Sequence, residues 1–232
     1  MIDRKKSIQV VGSLFTFETS SFARVNKGLA ESFAKKKNIQ ISVYQDDASV
    51  DKIPNDQDCK KFAELRKFWE DSYKDSDVVI YHNFPKEGFV EHGLKKLKGK
   101  IKLMFLAWEE TAYPQMWVDE INENLHGVLV PSAFVKEVLR DSGVKVPIEV
   151  VLEGLDPLVM DAEPSKFQVK TDKKNIFLHV STAKARKGVD VLINAYDKAF
   201  TSEDDVCLVI KSSFSPDNKV SELIEKRKGD SL

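Results

Sequence analysis

The chain has 232 residues, of which 42% are hydrophobic and 31% are charged, a composition typical of globular proteins. Its formal net charge of −1 gives no overall electrostatic argument for a nucleic-acid partner. Cys59 and Cys207 are far apart and form no CxxC pair, which argues against a disulfide scaffold or a cysteine zinc site. No stretch approaches the ~18 apolar residues of a membrane-spanning helix, and the N-terminal apolar run is too short for a signal peptide. We therefore expect a cytoplasmic protein.

Strands and helices alternate along the first part of the chain. Apolar runs predict three strands, over 7–12, 39–44 and 77–82. Three stretches with apolar residues at every third or fourth position predict helices, over 21–36, 58–74 and 89–97. In the first of these helices Ser21 is the predicted N-cap, and the apolar side chains are Phe22, Val25, Leu29 and Phe33.

The alternation continues to about residue 154. Three further strands are predicted over 101–107, 127–131 and 148–154. Two helices lie between them, over 114–124 and 132–143. Pro114 suits a first helical turn, Ser132 is a predicted N-cap, and Gly143 a predicted stop.

Short apolar strands that alternate with helices are typical of an α/β fold, in which helices cover both faces of a parallel sheet. Ligands of such sheets bind beyond the carboxyl ends of the strands. The informative residues should therefore follow strands, in the segments 12–20, 82–85, 108–114 and 153–156.

The pattern is lost over 155–174, a polar stretch with two prolines that is interpreted as a linker. It then resumes with a strand over 175–181, a helix over 188–200, a strand over 205–212 and a helix over 218–228. We predict a Rossmann-like domain over 1–160, a linker over 161–174, and the first part of a second Rossmann-like domain over 175–232. So small a second unit would bury only a marginal core.

A basic loop precedes the helix that is predicted to begin at Gly188. Its cations are Lys184, Arg186 and Lys187, and a helix N-terminus disfavours positive charge. Backbone N–H groups there, together with Lys187, can hold a phosphate. The alternative is a solvated cluster that Asp190 partly offsets. The loop is not a P-loop, because GxxxxGK[ST] is missing.

Two other segments after strands have the residue types of binding sites. In "VVGSLFTFETSS" a glycine and small hydroxyl residues lead into a helix, but Gly12 stands alone without GxGxxG, which argues against a nicotinamide or flavin dehydrogenase. In "FLAWEETAYPQMW" Glu109 or Glu110 could act as a base or bind sugar hydroxyls, and Trp108 offers a stacking face. The alternatives are an ordinary loop in the first segment, and solvated carboxylates beside a packing tryptophan in the second.

Histidine and lysine spacing adds two further points. The four histidines form no HxxxH or HExxH pattern, so no metal site is expected, and His82 at a strand end is interpreted as structural rather than catalytic. Five lysines within 95–102 form either a solvated turn or a surface attracted to an anionic membrane.

Four segments taken together resemble the GT-B glycosyltransferases of the large retaining group called glycogen-synthase-like or family 4. They are "SFARVNKGLAESFAKK", "WEETAYPQMWVDEINENLHGVLVPSAFVKEVLRDSGV", "EVVLEGLDP" and "IFLHVSTAKARKGVDVLINAYDKAF". They cover most of the chain in the family's order, and RKGVDVL is the most specific part. The resemblance implies two Rossmann-like domains, of which the second binds a nucleotide-sugar and the first mainly binds the acceptor.

The resemblance also implies roles for individual residues. Lys187 matches the lysine that contacts the donor diphosphate, and Gly188 lets the backbone approach it. An arginine commonly stands five residues earlier, where this chain has Thr182, and Arg186 is a substitute. Gly12, followed by Ser13, matches the first-loop glycine that approaches the donor phosphates. Glu109 falls where the first domain supplies a polar group to the reacting sugars.

The family's second domain also has a Glu-x7-Glu element, and no two glutamates of this chain stand eight apart. We therefore expect an acceptor domain followed by the first fragment of a donor domain, with little transfer by this chain alone. The intact enzyme would need no cofactor and no catalytic metal. Its expected partners are a nucleotide-sugar donor and a glycan or lipid-linked acceptor, with peripheral contact at the inner membrane face. The alternative is a non-catalytic binding or partner subunit on the same fold.

Overall fold

A computed structural model describes most of the chain as two compact units, Met1–Ala162 and Glu163–Leu232. The residues that it describes are 4–13, 21–45, 67–83, 94–155, 163, 168–181, 184–212, 220–222 and 224–225. Each unit is treated by itself below.

The first unit is built on a six-stranded parallel sheet. Its strands are β1 (Lys6–Gly12), β2 (Ile39–Gln45), β3 (Ser76–His82), β4 (Gly99–Phe105), β5 (Gly127–Val130) and β6 (Ile148–Val150). Their order in the sheet is β2-β1-β3-β4-β5-β6, and every neighbouring pair is parallel. With helices flanking the sheet, the unit is an α/β domain consistent with a Rossmann-like fold.

Three helices of this unit pack on the sheet: α1 (Ser21–Ala34), α2 (Gln115–Asn124) and α3 (Ala133–Asp141). Successive strand residues point to opposite faces, so the neighbours Val10 and Val11 belong to different cores. Val10 lies in the core that includes Ala30 of α1, whereas Val11 lies in the core that includes residues of α2 and α3. The predicted N-cap of α3 is confirmed, because Ser132 Oγ accepts a hydrogen bond from Val135 N.

The buried side of α1 differs in detail from the predicted apolar stripe. Phe22, Val25, Leu29 and Phe33 are only partly buried, whereas the fully buried residues are Ala23, Asn26 and Ala30. These three smaller side chains follow the same three- and four-residue spacing, rotated by one position. Small residues let the helix axis approach the sheet closely, and the larger apolar side chains then flank the line of contact.

The helix predicted over 58–74 is wrong where the structure describes it. Residues 67–75 form turns, bends and extended backbone, and Trp69 makes a parallel bridge with Val43 of β2. Val43 N donates to Phe68 O at 2.8 Å, and Glu70 N donates to Val43 O at 2.9 Å. The segment therefore extends the sheet beside β2. Its aromatic spacing also suits a short edge segment that packs Phe68 and Trp69 on the core.

Other element boundaries change less. Within the predicted helix 89–97, the described part holds one 3₁₀ turn, Leu94–Lys96, which anchors the chain through the buried Leu94. The sixth strand has three residues rather than seven. Val151 N still donates to Val130 O at 2.8 Å, but residues 152–155 continue outside the strand and are exposed. The remaining predicted strands and helices of the first unit are present, with ends shifted by one or two residues.

The second unit contains a two-stranded parallel sheet, β7 (Asn175–Val180) and β8 (Val206–Lys211). Helix α4 (Val189–Ala199) buries Val189 and Ile193 against Leu208 and Ile210 of β8. Residues 220–222 and 224–225 are helical, as predicted for 218–228. Among the described residues, no helix is long and apolar enough to cross a membrane.

Candidate functional site

The strand order reverses direction at β1 and β3, which are neighbours in the sheet of the first unit. From β1 the chain passes to β2 on one side, and β3 then pairs with β1 on the other side. The carboxyl ends of β1 and β3 lie side by side, with Gly12 opposite His82. In open α/β sheets such a point is where a crevice forms and ligands bind. Ser13 and Asn83, which follow these two strands, are also buried.

Asn26 of α1 joins the ends of the two strands. Its Nδ2 donates to the backbone oxygens of Ser13 at 2.8 Å and of His82 at 3.0 Å. Its Oδ1 lies 2.9 Å from Nδ1 of His82. The amide is fully buried, and each of these bonds replaces the water that its partners lose on folding. Asn26 therefore ties together the carboxyl ends of β1 and β3.

The same bonds define the protonation of His82. Because Asn26 donates both Nδ2 protons to carbonyl oxygens, its remaining atom is an acceptor, so Nδ1 of His82 carries the proton and Nε2 the lone pair. The imidazole packs between the rings of Phe22 and Phe105, with centroid distances of 4.9 and 5.0 Å. Burial among these rings lowers the pKa of His82 to about 4.

The lowered pKa of His82 makes the free energy of unfolding depend on pH. The unfolded chain binds a proton at His82 near pH 6.5, whereas the folded chain binds it only near pH 4. The unfolded state therefore holds more protons between these values, and the free energy of unfolding falls as the pH drops through that window. At neutral pH the imidazole is uncharged, so it supplies no positive charge to a bound anion.

Gly12 is required by the close approach of β1 to β3. A Cβ atom at Gly12 would lie 2.0 Å from the backbone oxygen of His82 and 3.0 Å from Nδ2 of Asn26. The glycine predicted as a site residue thus also has a structural reason. It lets Asn26 reach both strand ends.

A buried acceptor lies at the end of the neighbouring strand β2. Gln45 pairs in register with Gly12, and its Oε1 is buried without a hydrogen-bond partner in the part of the chain that the structure describes. Leaving such an acceptor unpaired costs about 1–3 kcal/mol. A donor group on a ligand is one way to satisfy it. Sequence reasoning missed both Gln45 and Asn26. The signal for Asn26 was its position three residues from Ala23 and four from Ala30, on the buried side of α1.

Glu109 lies beyond the carboxyl end of β4, the strand next to β3. The loop is shaped by Trp108, whose Nε1 donates to Ala112 O at 2.9 Å, and by ring contacts of Trp108 with Tyr113 and Trp117 at 4.9 and 5.8 Å. Glu109 itself is exposed. The tryptophan is thus mainly a packing residue that fixes the loop, and the carboxylate stands at the same sheet edge as Gly12 and Ser13.

The second unit holds the predicted donor-binding loop. Ala185–Lys187 forms a 3₁₀ turn, and Gly188 then adopts a left-handed conformation with φ 62° before α4 begins. A Cβ at Gly188 would meet no atom within 4 Å, so the glycine is explained by its backbone angle and by open space above it. Gly188 is the N-cap residue of α4 and has no side chain to cap the helix. Arg186 and Lys187 are exposed at this end, and Thr182 lies outside the described residues.

Two sets of predicted residues therefore lie in separate units: Gly12, Ser13 and Glu109 at the carboxyl edge of the first sheet, and Arg186, Lys187 and Gly188 at the start of α4. Within the described ranges, no group of three or more His, Cys, Asp or Glu side chains could hold a metal ion.

The close approach at Gly12 predicts opposite effects for two glycine-to-alanine changes. Gly12→Ala should lower the free energy of unfolding by about 3 kcal/mol, because the new methyl overpacks the ends of β1 and β3. Gly28→Ala, in the exposed middle of α1 where a Cβ meets nothing within 4 Å, should raise it by roughly 0.5–1 kcal/mol. Urea unfolding measures both. Equal stabilities for the two variants would contradict the close approach.

Comparison with known proteins assigns no family to the chain. No protein-family model matches the chain, and no curated protein sequence matches it at a significant level.

Proposed function

We propose that the chain is part of a cytoplasmic retaining glycosyltransferase of the GT-B kind, which moves a sugar from a nucleotide-sugar donor to a glycan or lipid-linked acceptor. The proposal is supported by the four segments that resemble this family and by the α/β architecture. It is also supported by two sets of polar residues, each lying where its unit would bind a ligand. Each unit contributes a distinct part of the chemistry.

The observation that carries the proposal is the start of α4. Lys187 is exposed directly before the left-handed Gly188, which is the N-cap residue of α4 and has no side chain to cap the helix. Uncapped backbone N–H groups and an adjacent ammonium are the partners that a phosphate prefers. The open space above Gly188 admits a ligand close to the backbone. A diphosphate is the anion that UDP-, GDP- and ADP-sugars carry.

In the proposed reaction, the bond between the donor sugar and the diphosphate breaks, and the acceptor hydroxyl oxygen bonds to the same sugar carbon with retained configuration. The hydroxyl proton leaves with the diphosphate or passes to solvent. Negative charge grows on the departing diphosphate. Lys187 and the N-terminal N–H groups of α4 stabilise that charge, as preorganised electrostatic catalysis requires. Arg186 adds a second cation to the same loop.

The first unit supplies uncharged and acidic groups. His82 is neutral at physiological pH, so it adds no positive charge at the carboxyl ends of β1 and β3. Gly12 and Ser13 give backbone access at the switch point of the sheet. Glu109, exposed beyond β4, is proposed to bind sugar hydroxyls.

Donor binding tests the proposal. Titration calorimetry with UDP-, GDP- and ADP-sugars should detect binding of at least one of them to the chain. Lys187→Ala should weaken that binding by about 10- to 100-fold, because a hydrogen bond to a charged group contributes about 1.5–3 kcal/mol. Lys198→Ala, at the other end of the same helix, is the matched control and should leave it unchanged. Binding of no nucleotide-sugar, or equal loss in both variants, would overturn the proposal.

A partner-subunit role is the second candidate, and one observation favours it. Strand β7 exposes apolar side chains, with Leu178 at 66% and Val180 at 62% of their maximal accessible area. Parallel strands are normally covered on both faces, and contiguous exposed apolar surface often marks an interface.

Sedimentation equilibrium tests this second role. A partner subunit should self-associate or bind its partner through β7, so that the measured mass rises with concentration and Leu178→Lys abolishes the rise. Lys170→Glu, an exposed change outside the strand, serves as the control. A monomer mass at all concentrations, together with nucleotide-sugar binding, favours the transferase instead.

A further inference from the structure

A second polar region lies at the amino-terminal edge of the first unit's sheet, opposite the edge that holds Gly12 and His82. A hollow of about 530 Å³ opens there, where β1, β3 and β4 begin. Four of its lining side chains are cationic and two are carboxylates: Arg4, Lys98, Lys100, Lys102, Asp75 and Asp77. None of the proposed transferase residues lies at this edge.

One carboxylate of the hollow is already neutralised. Asp77 accepts a hydrogen bond from Lys100 Nζ at 2.7 Å and from the backbone N of Ser7 at 3.0 Å. These bonds hold the pKa of Asp77 well below its usual range, so it stays ionised and paired with Lys100. The pair closes one side of the hollow and joins β1, β3 and β4.

The remaining cations have no such partner. Among the residues that the structure describes, no ion pair involves Arg4, Lys98 or Lys102. Asp75 is the one lining carboxylate left to offset these three cations, so the hollow keeps an excess of positive charge that a bound anion would neutralise. The hollow therefore combines space, unpaired positive charge and the fixed Asp77–Lys100 pair.

The edge around the hollow is basic as well. Further exposed lysines stand at or just before the starts of β1, β2, β4 and β6: Lys5, Lys6, Lys36, Lys37, Lys96 and Lys145. Exposed carboxylates stand at this edge too, at Asp71, Asp75 and Asp141, but the cations outnumber them. The carboxyl edge has the exposed Glu109, Glu110 and Glu153. The excess of cations gives the amino edge a positive potential. The formal net charge of the whole chain, −1, does not reveal this local excess.

We propose that the amino-edge hollow binds phosphate groups presented by an anionic lipid surface. Clusters of lysine next to a membrane are attracted to anionic headgroups, and a broad sheet edge can place several lysines near such a surface at once. A nucleic acid is disfavoured. The cations of the hollow are mainly lysines, which lack the two-pronged phosphate contacts of arginine, and no aromatic side chain lines it to stack on bases. The inference does not depend on the proposed transfer reaction.

Vesicle binding tests the inference. The full chain should cosediment with phosphatidylcholine vesicles that contain phosphatidylglycerol, but not with pure phosphatidylcholine, and high salt should release it. The triple variant Arg4→Gln, Lys98→Gln and Lys102→Gln should lower the partition coefficient by about 100-fold, since each cation near the surface contributes about a factor of five.

The control is a triple variant with the same loss of charge in the second unit: Lys170→Gln, Lys174→Gln and Lys198→Gln, all exposed. Its binding should fall far less, and circular dichroism should show both triple variants folded. Equal loss in the two variants, or no binding to anionic vesicles, overturns the inference.

Two other ligands, pyrophosphate and single-stranded RNA, are alternatives to the lipid surface and complete the test. Pyrophosphate titration separates a soluble phosphate ligand from a membrane. Binding of pyrophosphate without vesicle binding confirms the phosphate chemistry of the hollow but overturns the lipid source. Single-stranded RNA that binds more tightly than vesicles and is lost in the amino-edge variant overturns the membrane assignment.

Discussion

The side-chain amide of Asn26 is the contact on which the first unit's site depends. It bonds the backbone at the ends of two adjacent strands and the ring of His82 at the same time. The three bonds require α1 to lie close to the sheet, which explains the small residues Ala23 and Ala30 on its buried side. They also require the strands to meet without a side chain between them, which explains Gly12.

The chemistry of the first unit is divided between the two edges of its sheet. At the carboxyl edge, the neutral side chains of Asn26, His82 and Asn83 are buried, and exposed glutamates follow β4 and β6. At the amino edge, Asp77 and Lys100 close a hollow whose other cations are unpaired among the described residues. Parallel strands produce this division, because all their amino ends meet on one side and all their carboxyl ends on the other.

The sequence alone predicted the α/β class, the strands β1 to β8 and the helices that pack on them, because buried parallel strands are continuous apolar runs. Of the helix predicted over 58–74, the described part, 67–74, is not helical: Trp69 pairs with Val43, and a helical spacing of aromatic residues misled the prediction. The sequence alone also failed to find Asn26 and Gln45, since a polar residue on a helix or strand reveals its partners only when distant segments are brought together. Of the proposed site, Gly12 has a structural explanation, while the roles of Glu109 and Lys187 rest on resemblance and position.

The central claim is that Asn26 fixes a neutral imidazole of His82 at the carboxyl ends of β1 and β3. The protonation of the two ring nitrogens of His82 tests this claim most directly. Long-range nitrogen–proton NMR spectra of the full chain report which nitrogen carries the proton as the pH is lowered. The account predicts a proton on Nδ1, a bare Nε2, and no second protonation until about pH 4. A proton on Nε2 at neutral pH, or titration at the ordinary histidine pKa near 6.5, would contradict it.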